Sequence, residues 1–205
     1  MTQQGNDTNY LDTQEGLVHY ADRARQYKQQ GLVVWFTGLS GSGKTTIAIE
    51  VEKRLFDQGR LVYRLDGDKM RRGLSAGLGF SEADRMENIR RAAEVSKLFQ
   101  DAGLIVLTCF ISPHRAARDY ARSIVPEGLF LEVYVKASLE ACIARDPKGY
   151  YRKALANEIK DYTGIAQGYE EPLHPDIVLD TENFSLEECV ERIFAEALAR
   201  SNPPR

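Results

Sequence analysis

Gly38-Leu39-Ser40-Gly41-Ser42-Gly43-Lys44-Thr45 (residues 38–45) is the stretch of sequence that decides the fold. It follows the continuous apolar run Leu32–Phe36. It precedes a segment in which Ile47, Val51 and Leu55 recur every fourth residue, which is the spacing of one helix face. A strand, a Gly-rich loop ending in Lys-Thr and a helix, in this order, form the Walker A arrangement. The sequence therefore predicts a loop that binds the phosphates of a nucleoside triphosphate.

Each residue type in this loop has a chemical reason to be there. The glycines permit backbone conformations that turn successive N–H groups toward the phosphates, and the start of the helix adds partial positive charge. Lys44 is expected to bridge the β and γ phosphates, and the Thr45 hydroxyl is expected to ligate Mg²⁺. We expect the whole loop to bind nucleotide: Gly38, Leu39, Ser40, Gly41, Ser42, Gly43, Lys44 and Thr45.

Four further apolar runs have the same near-continuous character and lie at Leu61–Leu65, Leu104–Phe110, Leu129–Val135 and Ile177–Leu179. Strands of this kind are buried on both faces, as in a parallel sheet with helices on each side. The segments between them favour helices, and the clearest helical spacing of apolar residues runs from Leu186 to Leu198. We therefore predict an α/β chain with the three-layer P-loop NTPase fold, a mainly parallel sheet flanked by helices.

The chain is expected to form one domain with a short N-terminal extension. Residues 1–14 are rich in Gln, Asn, Asp and Thr, which predicts a flexible segment, and residues 15–200 predict a single domain. Glu15–Gln29 is expected to form a short helix that ends near Gly31. The remainder has no internal repeat and no linker rich in Pro or Gly.

The composition argues against several classes of protein. A formal net charge of −3 gives no overall basic field, so we expect no nucleic acid polymer as a partner. Residues 1–15 lack the apolar core of a signal peptide, and no apolar run approaches the roughly 20 residues that span a bilayer. The three cysteines and three histidines are scattered, which predicts reduced core thiols and no metal cluster. We expect a cytoplasmic protein with no membrane partner.

A phosphate loop alone does not distinguish between the classes of nucleotide-binding enzyme. A GTPase needs an Asn-Lys-x-Asp motif after a later strand, and the nearest candidate, Arg145–Lys148, lacks the pattern. A motor ATPase is usually larger and carries other motifs. These differences favour a small ATP-dependent kinase.

Two carboxylates follow the second apolar run, in Asp66-Gly67-Asp68. At the carboxyl end of a strand beside the phosphate loop they would lie where ligands bind in this architecture. One could hold Mg²⁺ and the other could accept a proton from an attacking hydroxyl. The alternative is an Asp-Gly turn in which Asp68 caps the next helix. The spacing does not distinguish between these two interpretations.

A local basic cluster follows the carboxylates and consists of Lys69, Arg71, Arg72, Arg85, Arg90 and Arg91. Arginine suits bidentate binding of phosphate-like or sulfate-like oxyanions. The alternative is a solvated helix face with i,i+4 partners such as Glu87–Arg91, which explains only part of the cluster. Phe80 and Tyr162 are candidates for stacking on a purine, although isolated aromatic residues usually belong to a core.

Six stretches, in the same order along the chain, resemble the adenylylsulfate kinases, which phosphorylate adenosine 5′-phosphosulfate (APS). They are WFTGLSGSGKTTIA (35–48), LDGDKMRRGL (65–74), LGFSEADRMENIRRAAEVSKLFQDAG (78–103), FISPHRAARD (110–119), LEVYVKASLEACIARDPKGYYRKA (131–154) and YTGIAQGYEEP (162–172). Together they cover about residues 32–180. The segments DRMENIRR and FISP are far more specific than a phosphate loop.

The resemblance implies a homodimeric kinase that uses ATP and Mg²⁺ to phosphorylate the ribose 3′-hydroxyl of APS. It gives Asp66 and Asp68 the tasks of placing Mg²⁺ and deprotonating that hydroxyl. Thr45 and Asp66 are then the metal-binding residues, and Arg145 and Lys148 belong to a lid over ATP. The residues implied to bind APS, with aromatic rings on both faces of its adenine, are Asp68, Arg71, Phe80, Arg85, Asn88 and Tyr162.

Ser112, in Phe110-Ile111-Ser112-Pro113, matches the serine that the family assigns to a phosphoserine intermediate. Ser followed by Pro is also a helix N-cap signature, and a serine nucleophile would want an adjacent base. We favour capping plus substrate contact, because direct transfer from ATP needs only positioning and charge stabilisation.

Two departures from the family pattern leave the acceptor open. Lys69 stands where the family has Asn, and the chain is short between Arg122 and Leu129 compared with many members of the family. Tyr162 stands where the family usually has Phe, a change that keeps a stacking face. A cation at position 69 could change which anion is accepted, so a same-fold kinase acting on another nucleotide conjugate, such as a cytidine diphosphate derivative, is the alternative. A non-catalytic nucleotide-binding regulatory protein is a further alternative. The joint presence of Lys44, Thr45, Asp66 and Asp68 speaks against that one.

Overall fold

The structure, a computed structural model, describes residues 18–159 and 162–203. Within these residues the strands are β1 (Leu32–Thr37), β2 (Val62–Asp66), β3 (Ile105–Cys109), β4 (Phe130–Lys136) and β5 (Ile177–Asp180). The helices are α1 (Tyr20–Tyr27), α2 (Lys44–Asp57), α3 (Gly67–Arg72), α4 (Glu82–Asp101), α5 (Arg115–Ser123), α6 (Leu139–Arg145), α7 (Tyr150–Leu155) and α8 (Leu186–Ser201). The predicted flexible segment at residues 1–14 lies outside the described residues.

The strands form one sheet in the order β2-β3-β1-β4-β5, and every neighbouring pair is parallel. In the centre, Val34 of β1 lies opposite Leu107 of β3 and Leu131 of β4. Each of the five predicted apolar runs corresponds to one strand. Because the strands are parallel, their carboxyl ends meet at one edge, where ligands bind in open α/β sheets.

The side chains of β1 alternate between two cores and show why the fold has three layers. Val34 and Phe36 join a cluster with Ile47 of α2 and Ile193 of α8. The intervening Trp35 faces the other side of the sheet, where α4 and α5 pack. Every side chain of β1 is fully buried. The predicted parallel sheet with helices on both faces is therefore confirmed.

Helix α1 is shorter than the predicted helix over residues 15–29, of which residues 15–17 lie outside the described residues. It ends because Lys28 adopts a left-handed conformation, with φ of +52°. The buried side chain of Gln29 then donates to the carbonyl oxygens of Leu61 and Gly103, at 2.9 and 2.8 Å. Gln29 thereby joins the start of the sheet instead of extending the helix.

The three cysteines belong to the interior of the protein. Cys109, Cys142 and Cys189 are buried and form no disulfide, in agreement with the prediction of core thiols. Across residues 18–159 and 162–203, no helix has the length and apolar character needed to cross a membrane.

Candidate active site

The loop between β1 and α2 holds its glycines in conformations that other residues rarely adopt. The φ angles of Gly38, Gly41 and Gly43 are +144°, +78° and +105°. A Cβ at Gly38 would lie only 2.4 Å from the carbonyl oxygen of Val135, so a side chain there would clash with β4. Helix α2 begins at Lys44, and its first N–H groups have no partner within the helix. The loop therefore offers backbone donors and the positive end of a helix to a phosphate group.

The amine of Lys44 is folded back onto the loop that carries it. Its Nζ donates to the carbonyl oxygens of Gly38 and Leu39, at 2.8 and 2.7 Å. The residue is only 8% exposed, and burial lowers the pKa of the amine to about 8. In the part of the chain that the structure describes, no carboxylate pairs with it. A buried cation without a counter-ion is suited to bind an incoming phosphate.

We expect the affinity for ATP to fall as the pH rises above about 8, because phosphate binding favours the charged form of Lys44. The free amine loses its proton near that pH, whereas bound phosphate raises its pKa. Above pH 8, the binding of ATP must therefore be accompanied by uptake of a proton by Lys44. Calorimetric titration in two buffers of different ionisation enthalpy measures this uptake. The Lys44→Met variant should show none, and equal uptake by both proteins would contradict the assignment.

Asp66 ends β2 and forms the N-cap of α3. Its Oδ1 accepts hydrogen bonds from the backbone N–H groups of Asp68 and Lys69, at 3.0 and 3.3 Å. Its Oδ2 lies 3.6 Å from a guanidinium nitrogen of Arg64. The interpretation in which Asp68 caps the next helix is therefore wrong, because the preceding carboxylate already does so. Local spacing alone could not distinguish the two, since each Asp stands next to the same glycine.

Asp66 fills the cap, and the side chain of Asp68 instead forms an ion pair with Lys148. Both side chains are about half exposed, at 49% and 48%. Lys148 lies in the segment between α6 and α7, which was expected to form a lid. The contact spans 80 residues of sequence and connects the lid to the end of β2.

Phe80 presents a ring that is 56% exposed although it belongs to a cluster of arginines. The guanidinium of Arg71 lies 4.4 Å from the ring centroid, and that of Arg85 lies 5.9 Å from it. Arg71 also donates to the carbonyl oxygen of Gly79 at 2.9 Å. The ring is thus held in place while much of it stays open, as a surface for stacking requires.

Arg85 connects the two segments that carry the predicted stacking residues. It is 8% exposed, and its Nε donates to the Phe80 carbonyl oxygen at 2.9 Å. Its Nη1 donates to the hydroxyl of Thr163 at 2.6 Å. Thr163 follows Tyr162 directly, so these bonds bring the segments of Phe80 and Tyr162 to the same side of the molecule.

Asn88 lies three residues further along α4 and is 5% exposed. Its side-chain carbonyl oxygen has no hydrogen-bond partner among the described residues. A buried acceptor left unpaired costs about 1–3 kcal/mol. A donor from a ligand would remove this cost, so the unpaired oxygen favours the predicted role of Asn88 in binding substrate.

The lid lies against the phosphate loop and against Tyr162. The hydroxyl of Tyr151 donates to the carbonyl oxygen of Ser40 at 3.1 Å, and its ring meets that of Tyr162 edge to face at 5.1 Å. Arg145 donates to the hydroxyl and carbonyl oxygens of Thr181, at 2.9 and 3.0 Å. Arg145 is therefore next to the loop, where it also donates to the carbonyl oxygen of Gly41 at 3.4 Å, whereas Lys148 pairs with Asp68.

Ser112 does not cap a helix, which corrects the interpretation that we favoured from the sequence. Helix α5 begins at Arg115 and its N-cap is His114. Ser112 is 1% exposed, has a φ of +40°, and accepts a hydrogen bond at its Oγ from the indole N–H of Trp35 at 3.2 Å. The Ser-Pro signature failed because two residues separate this serine from the helix.

Four arginines of the basic cluster form two groups. Arg90 and Arg91 both pair with Glu87, at 2.7 and 2.8 Å, as expected for a solvated helix face. Arg71 and Arg85 instead surround Phe80. The solvated-face interpretation is therefore confirmed for the first group, and the oxyanion interpretation stays a prediction for the second.

Sequence reasoning missed Thr181, Tyr151 and Tyr169. Thr181 comes directly after β5, and its hydroxyl donates to the carbonyl oxygen of Ser42 at 3.0 Å. The hydroxyl of Tyr169 lies 2.8 Å from that of Thr37 at the end of β1. Only Thr181 had a signal in the sequence, because a polar residue at the carboxyl end of a parallel strand is a candidate for the site.

Known proteins share both the sequence and the shape of this chain. Residues 30–180 match the adenylylsulphate kinase family. The adenylyl-sulfate kinase of Vibrio cholerae is 56% identical over 182 residues, which are 89% of this chain and 84% of that protein. The adenylyl-sulfate kinase of Oceanobacillus iheyensis is 55% identical over 88% of this chain and 91% of its own length.

The fold of this chain is also similar to that of a solved APS kinase. The APS kinase of Mycobacterium tuberculosis, in complex with AMPPNP and APS, has a TM-score of 0.77 against this structure at 44% identity. The match covers 82% of this chain and 97% of that one. The phosphate loop, the two carboxylates Asp66 and Asp68, and the Phe80 ring with its arginines lie at one edge of the sheet. Because its sequence and fold match these proteins, the chain belongs to the adenylylsulphate kinase family.

Proposed function

We propose that the protein transfers the γ-phosphoryl group of ATP to the ribose 3′-hydroxyl of APS, giving ADP and 3′-phosphoadenylyl sulfate. Membership of the family, and likeness to an APS kinase solved with AMPPNP and APS, support both substrates. The observation in this chain that carries the proposal is the ion pair between Lys148 and Asp68. This ion pair connects the lid, which lies beside the phosphate loop, to Asp68, the carboxylate that we assign to the acceptor.

ATP binds with its phosphates in the loop of residues 38–45. Lys44 exchanges its bonds to the Gly38 and Leu39 carbonyl oxygens for the β and γ phosphates. Lys148 leaves Asp68 and adds its charge to the transferring group, and Arg145 holds the lid against Thr181. These exchanges add positive charge where negative charge develops in the transition state.

APS binds on the side of Asp66 and Asp68 that is opposite the ATP phosphates. Its adenine stacks between Phe80 and Tyr162, and Arg71 and Arg85 supply positive charge for its sulfate and phosphate oxygens. The unpaired carbonyl oxygen of Asn88 accepts a hydrogen bond from the substrate. The acceptor hydroxyl then lies between the stacked base and the phosphate loop.

In the transfer step the 3′-oxygen forms a bond to the γ-phosphorus, and the bond from that phosphorus to the β–γ bridging oxygen breaks. Asp68 takes the hydroxyl proton once Lys148 has left it. ADP departs with the electron pair of the broken bond. Positioning and charge stabilisation suffice for this reaction.

The residues near the loop fit a magnesium ion. The exposed hydroxyl of Thr45 and the carboxylate of Asp66 are hard oxygen donors of the kind that Mg²⁺ prefers. Within the described residues there is no group of three or more His, Cys, Asp or Glu side chains that would form a metal cage on its own. Thr45 and Asp66 would hold such an ion beside the bound nucleotide, and it would neutralise negative charge on the phosphates.

Ser112→Ala should retain at least about a third of the wild-type kcat, because it leaves the buried indole N–H of Trp35 unpaired, which costs about 1–3 kcal/mol and acts mainly on stability. Trp35 is the hydrogen-bond donor to Ser112 Oγ, and no base contacts that oxygen among the described residues. Steady-state kinetics with ATP and APS measure the effect. A loss of activity beyond about 10³-fold in a folded variant would instead indicate a covalent phosphoserine.

A coupled assay of ADP release tests the proposed function and its alternative. Purified protein with MgATP is offered APS, a cytidine diphosphate conjugate, or no acceptor. We expect release with APS to exceed release with the other two by at least about 100-fold, since the stacking pair and the arginines suit an adenine nucleotide with an added anion. Equal or faster release with the cytidine conjugate would select the alternative.

A substitution of Lys69, measured in the same assay, tests whether this residue sets the preference for the acceptor. Its side chain is exposed and has no hydrogen-bond or ion-pair partner in the part of the chain that the structure describes. If it sets the acceptor, Lys69→Asn changes the ratio of the two acceptors while the affinity for ATP stays constant. A homodimer stays a prediction of the family resemblance, and a cytoplasmic location stays a prediction of the sequence composition.

A further inference from the structure

Arg118 of α5 is 2% exposed and binds three separate segments of the chain. Its Nε donates to Glu132 Oε1 of β4 at 3.0 Å. Its Nη1 donates to the carbonyl oxygen of Ser112, and its Nη2 to that of Glu170, both at 2.6 Å. A planar guanidinium can serve these three acceptors at once because its donors form a fixed fork.

The two carbonyl groups belong to segments that border the proposed acceptor site. Ser112 follows β3 at the carboxyl edge of the sheet and adopts a left-handed φ of +40°, which needs support from its surroundings. Glu170 lies near the end of the stretch from residue 162 to 172, and its N–H donates to the Pro113 carbonyl oxygen at 2.9 Å. The other end of that stretch is fixed by Arg85 through Thr163.

We propose that Arg118 is a positioning residue for the acceptor, an inference that rests on the proposed function. It joins the Ser112 segment to the stretch from residue 162 to 172, and so sets where Tyr162 meets the base of APS. It contacts neither the phosphate loop nor the lid in the described residues. The Ser112 segment meets the loop through the bonds that Thr37 and Gly38 donate to the Ile111 carbonyl oxygen, at 2.8 and 3.4 Å, and Arg118 takes no part in them. Loosening Arg118 should therefore affect the acceptor and spare ATP.

The neighbouring Arg122 provides a matched control. It also pairs with Glu132, at 3.4 Å, and with Asp176 at 2.7 Å. Among the described residues, its side chain does not bond to the carbonyl groups of Ser112 or Glu170. A variant of Arg122 therefore perturbs the same carboxylate without touching the acceptor side.

The test compares Arg118→Lys with Arg122→Lys in steady-state kinetics with both substrates varied and the melting temperature recorded. Lysine keeps the charge beside Glu132 but lacks the fork. We expect Arg118→Lys to raise KM for APS by about tenfold or more, since small displacements of positioning groups have large effects, and to leave KM for ATP within about twofold. Arg122→Lys should change neither constant by more than about twofold.

Three outcomes would overturn the inference. These are an unchanged KM for APS in Arg118→Lys, an equal rise in KM for both substrates, or the same rise in Arg122→Lys. If Arg118→Lys does not fold, Glu132→Gln takes its place, with a smaller rise again confined to APS as the expected result. Absence of wild-type activity toward APS would contradict the proposed function instead, so the two failures are distinguishable.

Discussion

Asp68→Asn should lower kcat by about 10²–10⁴-fold, the usual contribution of a general base, while binding ATP at least as tightly as the wild type. The amide cannot take the proton of the acceptor hydroxyl. It also releases Lys148 from its ion pair, which leaves that cation free for the phosphates of ATP. Turnover and ATP binding should therefore change independently.

Steady-state kinetics and calorimetric titration with ATP measure the two effects separately. Asp101→Asn is a suitable control, because Asp101 also forms an ion pair with a lysine, Lys97, but at the far end of α4. The control should retain the wild-type kcat within about twofold, as is usual for an exposed pair. Normal turnover by Asp68→Asn would remove Asp68 from the mechanism.

Lys44→Met should lower kcat by about 10²–10³-fold, the loss typical when one donor to a developing charge is removed. Methionine fills the space of the buried stem but provides no charge for the β and γ phosphates. The backbone donors of the loop remain, so weakened binding of ATP should still be measurable. Because the amine is buried at 8% exposure, removing it should not lower the melting temperature.

This combination of a large kinetic loss and unchanged stability distinguishes a catalytic role from a structural one. Lys53→Met on the exposed face of the same helix is the matched control and should behave as the wild type. A kcat for Lys44→Met within a few-fold of the wild-type value would contradict the role assigned to the phosphate loop. So would a loss of activity that simply follows a loss of folded protein.

The sheet could be predicted from the sequence because its strands are buried on both faces. Leu32–Phe36 is apolar throughout, and every residue of β1 is fully buried between two layers of helices. Each end of the other four strands lies within one residue of the end of its predicted run. The phosphate loop could also be predicted, since its glycines, lysine and threonine are adjacent in sequence.

The contacts that complete the site could not be predicted, because they join residues far apart in the chain. The pair of Lys148 with Asp68 spans 80 residues, and that of Arg85 with Thr163 spans 78. The alternative in which Asp68 caps a helix, and the capping that we favoured for Ser112, failed for a related reason. Local signatures identify a residue that could cap a helix, whereas the observed caps, Asp66 and His114, depend on where each helix begins.

The most direct test of the proposed reaction is the chemical identity of its product. The protein is incubated with MgATP and APS, and the nucleotides are separated and examined by phosphorus NMR. We predict one new phosphate monoester on the 3′-oxygen of APS for each ADP formed. Release of ADP without phosphorylation of APS, or phosphate on another oxygen, would contradict the proposed function.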